Sequence, residues 1–312
     1  MTSVNPSIHM HDDDKPSRRT LPVESGILTF LEWPHEQGKS PLHFAHANGF
    51  NAMTYRRLLN PLSGRFRIRA WDARGHGETL LPADPASHSN WHVFRDDMIL
   101  MLERFADVAG SPVLLAGHSM GATVSLMVAA ERPDLVRGLC LVDPVLIPRH
   151  IGRLMRFIRR FGLKAPLIAI ADAAERRRAV FPDRATMFNS YRGRGAFRTW
   201  PDDVLRDYIE GGTIDLPDGQ VALTCSPGWE AANFRAQGHD VWEAIEALAR
   251  PLTLIYSGPT SSTCRAPGPQ LLAECDPGAT ILRIGQASHF LPMEYPEAVR
   301  RELLALDARI TG

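Results

Sequence analysis

From residue 26 onward, short runs of apolar residues alternate with stretches in which apolar positions recur every three or four residues. A short apolar run suits a buried strand, whereas three- and four-residue recurrence lines one face of a helix. The runs predict strands at Gly26–Trp33, Leu42–Ala47, Phe66–Trp71, Pro112–Ala116, Leu139–Val142, Leu252–Tyr256 and Ala279–Ile284. The recurrent stretches predict helices near Ala52–Leu62, Trp91–Ala109, Ser119–Arg132, Val241–Ala249, Pro269–Glu274 and Pro296–Ala308. Strands and helices in alternation build a mostly parallel sheet with helices on both faces, an α/β fold. The beat breaks between about Leu146 and Asp240, an interval too long for a simple crossover. The expected organisation is therefore a disordered tail over residues 1–20, a core formed by residues 21–145 and 241–312, and an inserted, mainly helical cap over residues 146–240.

Charge divides the cap in two. Residues Ile147 to Trp200 carry twelve Arg and one Lys against Asp172, Glu175 and Asp183, whereas Pro201 to Arg250 carry ten acids against Arg206, Arg235 and Arg250. Within the basic half, Ile147, Ile151, Leu154, Ile158 and Phe161 repeat at helical spacing, with arginines between them. This pattern predicts a lid helix lying over a site. A membrane-surface contact and recognition of an anionic substrate are the sharper readings of the same helix, and mutual neutralisation of the two halves is a further one.

Over the whole chain of 312 residues the formal net charge is zero, so no overall field draws in nucleic acid, and a small-molecule substrate is expected. Cys140, Cys225, Cys264 and Cys275 lack the close pairing of a zinc site or disulfide framework, which suits a reducing cytoplasm. The first twenty residues lack the apolar core of a secretory signal, and no run is long enough to span a membrane. His9, His11 and Asp12 to Asp14 read as a solvated tail, not a metal site.

Chemistry concentrates at Gly117-His118-Ser119-Met120-Gly121, between a predicted strand and a predicted helix. A turn this tight forces its central residue into a strained conformation and requires small flanking residues, so a serine there is lifted clear of the backbone. With Gly and Ser each near 7 % of residues, a chain of this length contains about 0.1 chance matches to the pattern. A serine hydroxyl also needs a base, and the base needs an orienting group. His289, in the loop after the last predicted strand, is the expected base; His43, His46, His76 and His118 lie in strands or turns that suit it less. The Met120 N–H at the start of the following helix and the Phe50 N–H in Ala47-Asn48-Gly49-Phe50-Asn51 are the expected oxyanion donors. Asn48 and Asn51 are read as loop or helix-capping residues, with a direct role in the site as the alternative reading.

These features together resemble an α/β-hydrolase-fold enzyme with a cap domain. The resemblance rests on His46-Ala47-Asn48-Gly49-Phe50, Asp72-Ala73-Arg74-Gly75-His76-Gly77, the Ser119 turn and Ser288-His289-Phe290, in family order over residues 26–145 and 250–308. It implies a serine esterase or lipase-like activity without metal or organic cofactor, with Asp72 and Arg74 tying loops together. One departure stands out: Ser257 to Cys264, where most of the family carries the triad acid, contains no carboxylate. Some members place the acid one strand earlier, and this implies Asp143 as the orienting group; Asp276 lies toward the opposite end of the sheet. Hydrolysis of a carboxylic ester or lactone is the leading expectation. The alternatives are hydrolysis of a carbon–carbon bond beside a ketone on the same triad, and a non-catalytic ligand-binding protein. The aspartate-nucleophile chemistries of this fold are disfavoured by Ser119.

Overall fold

In the computed structural model, which describes residues 15–150, 157, 168–236 and 239–312, the strands in chain order are β1 Ser17–Val23, β2 Gly26–Glu32, β3 Ser40–Ala45, β4 Phe66–Asp72, β5 Val113–His118, β6 Val136–Val142, β7 Val180–Phe181, β8 Thr213–Asp215, β9 Val221–Leu223, β10 Leu252–Ser257 and β11 Thr280–Ile284. Eight of them form one sheet in the order β1-β2-β4-β3-β5-β6-β10-β11. β1, β2 and β4 pair antiparallel; from β4 across to β11 every pairing is parallel. The chain visits β3, steps outward to β4, and returns to β5 on the other side of β3. The order therefore reverses at β3, and the carboxyl ends of β3 and β5 open onto the crevice where ligands of open α/β sheets bind.

The helices are α1 Arg56–Leu59, α2 His92–Ala109, α3 Met120–Glu131, α4 Ile168–Glu175, α5 Arg184–Tyr191, α6 Asp202–Gly211, α7 Pro227–Arg235, α8 Val241–Glu246, α9 Gly268–Cys275, α10 Leu291–Glu294 and α11 Pro296–Thr311. Alternation along the central strands explains why helices cover both sheet faces. Val113 and Leu115 of β5, with Leu139 and Leu141 of β6, join the cluster that includes Phe94, Met98 and Phe105 of α2. Leu114 and Ala116, with Cys140 and Val142, face the other way, into the cluster of Leu58, Val299 and Leu303. Each such leucine contributes about 1.5–3 kcal/mol by burial. Helix α3 is apolar all round, and Met120 to Ala129 are all buried.

The expected tail over residues 1–20 is corrected at residues 17–20, which belong to a strand. Ser17–Val23 pairs with β2 over its whole length, and Arg18 reaches the buried Asp72 at 2.5 Å and Glu78 at 2.9 Å. Charged residues and Pro22 hide this strand from an apolar pattern because it is an edge strand with largely exposed side chains. The expected helix over Ala52–Leu62 is broken into a 3-10 turn, α1 and a second 3-10 turn at Asn60-Pro61-Leu62.

Among the described residues the interval expected to be the cap, 146–240, contains α4 to α7 and, in addition to helices, a small antiparallel sheet in the order β7-β9-β8. Most of the basic amphipathic stretch Ile147–Phe161 lies outside the described residues, as do residues 1–14. Elsewhere the two charge blocks meet: Arg177 pairs with Glu230, Arg184 with Asp215, Arg192 with Asp202 and Arg149 with Glu246. Arg235, from the acidic half, pairs in turn with Asp172 and Glu175. Among the described residues no helix is long and apolar enough to cross a membrane.

Candidate active site

Ser119 sits between the end of β5 and the start of α3 with φ 55 and ψ −118, a conformation a non-glycine residue rarely adopts. Its neighbours show why glycine is required. A Cβ on Gly117 would lie 2.6 Å from the backbone of Gly121, and a Cβ on Gly121 would lie 2.3 Å from the Ala45 carbonyl oxygen. The turn is thus packed backbone to backbone, and the serine projects from it at the head of α3, where unsatisfied N–H groups and the positive end of the helix dipole gather.

His289, 170 residues further along, comes back to this point. Its Nε2 accepts from the Ser119 hydroxyl at 2.9 Å, and its Nδ1–H donates to Asp143 Oδ2 at 2.6 Å. The loop that carries it is pinned by Glu294, whose carboxylate accepts from the Ser288 N–H at 2.8 Å and the Ser288 hydroxyl at 2.6 Å.

Asp143 is fully buried and also has positive φ, 43°. Ser257 N–H and the Ser257 hydroxyl donate to it at 3.1 and 3.2 Å, the Ser262 hydroxyl at 2.5 Å and the Thr263 N–H at 3.4 Å. Burial alone would raise its pKa. Hydrogen bonds from His289, Ser262 and Ser257, with attraction to a charged His289, outweigh that and hold the carboxyl below its ordinary value. The residues after β10 that lack a carboxylate therefore supply the donors for one carried by the neighbouring strand.

The oxyanion loop departs from expectation at Phe50. The Phe50 N–H donates to the Ala47 carbonyl at 3.1 Å, closing a turn with Gly49 at φ 75, so the donor expected there is spent inside the loop. Ala47 N–H donates to the Tyr55 hydroxyl at 3.1 Å and Gly49 N–H to His76 Nε2 at 3.0 Å. Three of the four N–H groups of Ala47 to Phe50 are thereby committed, and Asn48 carries the fourth. Met120 N–H, at the first position of α3, has no acceptor within its helix. The Phe50 ring instead packs against Trp200, Tyr208 and Phe290, with centroids 5.2, 5.6 and 6.1 Å away.

Two residues near the site escaped the sequence reading. The Tyr55 hydroxyl accepts from Ala47 N–H and hydrogen-bonds His118 Nδ1 at 2.8 Å; His118 Nε2 in turn bonds the His289 carbonyl at 2.8 Å. This chain ties the Ala47–Phe50 loop to the loop that carries His289. Burial, together with the nearby His289, pushes the His118 pKa down to about 3, so it serves as a neutral strut. Its position next to Ser119 was visible, but its partners are 63 and 171 residues away. The loop-tying roles expected of Asp72 and Arg74 match their contacts: Asp72 accepts from the Ala52 N–H at 2.8 Å, and Arg74 forms a two-point pair with Asp97 at 2.8 and 2.7 Å. Asn51 caps the next turn, accepting from the Thr54 N–H at 3.1 Å. Among the described residues no group of three or more His, Cys, Asp or Glu side chains is arranged to hold a metal ion.

A serine hydroxyl, an imidazole and a buried carboxylate in hydrogen-bonded series can generate an alkoxide and hand its proton to a leaving group. A sequence model of the alpha/beta hydrolase family matches residues 44–302. The chain is 27% identical over 263 residues to the 2-(acetamidomethylene)succinate hydrolase of Mesorhizobium japonicum, covering 84% of this chain and 86% of that one. It is 24% identical over 257 residues to the human (lyso)-N-acylphosphatidylethanolamine lipase, covering 77% and 71%. In three dimensions it resembles the crystal structure of an E-2-(acetamidomethylene)succinate hydrolase with a TM-score of 0.73 at 21% identity, covering 94% of this chain and 99% of the other.

Proposed function

The chain belongs to the alpha/beta hydrolase family, and from that premise we propose that it is a serine hydrolase that cleaves a carboxylic ester or lactone of a small to medium apolar substrate through an acyl-enzyme on Ser119. The hydrogen-bonded series Ser119, His289, Asp143 carries this reading. In the proposed cycle His289 Nε2 removes the Ser119 proton as Oγ attacks the carbonyl carbon. Negative charge then develops on the carbonyl oxygen, and the Met120 and Asn48 N–H groups donate to it. Collapse expels the alcohol, which takes the proton from His289. Water, activated by the same imidazole, attacks the acyl-enzyme and releases the acid. Asp143 keeps the His289 proton on Nδ1 and stabilises the imidazolium that forms. Residues 146–240 act as the cap, and the aromatic rings of Phe50, Trp200 and Phe290 provide the apolar surroundings.

A fluorophosphonate probe is expected to label the protein stoichiometrically and to lose that labelling in Ser119→Ala. Folded protein that takes no label would overturn the reading in favour of a ligand-binding role. A second reading, attack on a bond other than an ester, including a carbon–carbon bond beside a ketone, draws on the likeness to the succinate hydrolase. Labelled enzyme that leaves short-chain p-nitrophenyl esters untouched would favour it.

A further inference from the structure

Helix α7, in the inserted segment, approaches the oxyanion turn more closely than any function assigned above requires. The Asn48 side chain, 7% exposed, donates from Nδ2 to the Glu230 carbonyl at 3.0 Å and accepts at Oδ1 from Asn233 Nδ2 at 2.8 Å. Both partners lie on α7, more than 180 residues away, and Asn233 is fully buried. A Cβ on Gly49 would lie 2.6 Å from the Glu230 carboxylate, so turn and helix pack with no space between them.

Helix α7 is itself held at several points. Trp91 Nε1–H donates to the Asn233 carbonyl at 3.1 Å, and Trp229 Nε1–H donates to the Arg74 carbonyl at 2.9 Å. Glu230 receives Arg177 Nη1 at 2.5 Å, and Arg177 Nη2 donates to the Tyr208 hydroxyl of α6 at 2.8 Å. A two-point amide clamp on a buried side chain holds it in one rotamer and so restrains the Cα of Asn48, while the Phe50 N–H at 3.1 Å and His46 Nδ1 at 2.7 Å hold the Ala47 carbonyl of the peptide that carries the Asn48 N–H.

We propose that Asn233 is a positioning residue: with the Glu230 carbonyl, it grips the Asn48 side chain and thereby aims the Asn48 N–H at the developing oxyanion, so that the inserted segment completes the oxyanion hole. This rests on the serine-hydrolase reading above. The effect belongs to the transition state, because a ground-state carbonyl makes little demand on that donor, whereas an oxyanion placed wrongly by a fraction of an ångström loses much of its stabilisation.

The test is Asn233→Asp, which keeps size and shape but replaces the Nδ2 donor with an oxygen of a carboxyl; Asn233→Leu, which removes the donor without adding charge, is read beside it and must show the same loss. Its kcat for a short p-nitrophenyl ester is expected to fall about 10- to 100-fold with KM within about threefold of the parent. The second-order rate of fluorophosphonate inactivation, in which the serine oxygen displaces fluoride through a five-coordinate phosphorus whose phosphoryl oxygen gains charge in the same place, is expected to fall as well. Should Asn233→Asp not fold, Asn48→Ser, which leaves α7 untouched, is read by the same two rates. A folded variant with both rates within twofold of the parent, or a loss confined to KM, overturns the proposal. A parent enzyme that takes no label fails the serine-hydrolase reading instead, so the two failures are distinguishable.

Discussion

At the end of β5 and at the end of β6 the chain does the same rare thing by different means. Ser119 and Asp143 are the non-glycine residues with positive φ among those described, and each extends its strand's ladder by one bond: Ser119 N–H to Val142 O at 3.0 Å, Asp143 N–H to Ile255 O at 2.7 Å. At Ser119 the strain is set locally, by glycines two residues before and after it and by the helix that follows at once. Asp143 has no glycine beside it; Val142 and Pro144 flank it. Its conformation is held by donors from Ser257, Ser262, Thr263 and His289, between 114 and 146 residues away. The strained turn at Ser119 therefore draws mainly on five consecutive residues, with β3's Ala45 carbonyl closing on Gly121, whereas the strained Asp143 requires the finished tertiary structure.

The largest expected effect comes from breaking the local side. Ser119→Ala should reduce kcat by about 10⁶-fold with unchanged thermal stability, measured with a p-nitrophenyl ester; residual turnover near the parent's would remove Ser119 from the chemistry. Next is the long-range side. Asp143→Asn leaves the volume intact but no longer fixes the His289 tautomer, and kcat should drop by about 10⁴-fold in folded protein. Near-normal turnover would place the orienting acid elsewhere.

A smaller effect sharpens the contrast. Ser262→Ala removes a donor to the buried carboxylate and should lower unfolding stability by about 1.5–3 kcal/mol in denaturant titrations. Because the same donor fixes Asp143, kcat should fall about tenfold as well. Stability lost without any change in kcat would mean that the carboxylate keeps its aim without Ser262.

The smallest effect is read in pH. Burial lowers the pKa of His43, His76 and His118 to about 3 and that of His46 to about 4, beneath the ordinary value of about 6.5. The unfolded chain therefore binds more protons between these limits. Stability is full above about pH 6.5 and falls as the pH drops below it. Asp143 is also held below its ordinary value, so its contribution is complete above about pH 4 and is lost only below that, as pH falls through its folded pKa. Between pH 7 and 5 the parent and Asp143→Asn should lose melting temperature in parallel, and only in stronger acid, where the parent alone gives up the carboxylate's contribution, should the two curves cease to run parallel. Divergence already at pH 6 would show that the carboxylate titrates much higher than its donors imply.

Most of what positions Ser119 could be read along the chain. The predicted strands of the central sheet are present, and the apolar runs on either side of the elbow became β5 and α3. His289 was reachable from its place after the last strand. The Phe50 N–H was not, because its commitment to Ala47 depends on how the turn closes, and the pattern Ala-Asn-Gly-Phe does not specify which of its donors faces inward. Ser17–Val23 was missed because an edge strand need not alternate its apolar residues.

By itself, then, the sequence determined the alternating strands and helices of the central sheet, the strained turn at Ser119 and the hydrolase family, because those follow from periodicity and from steric limits that act within a few residues. Only the tertiary structure decided where the acid's donors come from, which loop N–H is left for an oxyanion and which helix grips Asn48. Each of those depends on polar groups far apart in the chain that find each other only after the core has removed them from water, where an unmatched partner costs too much to leave unpaired.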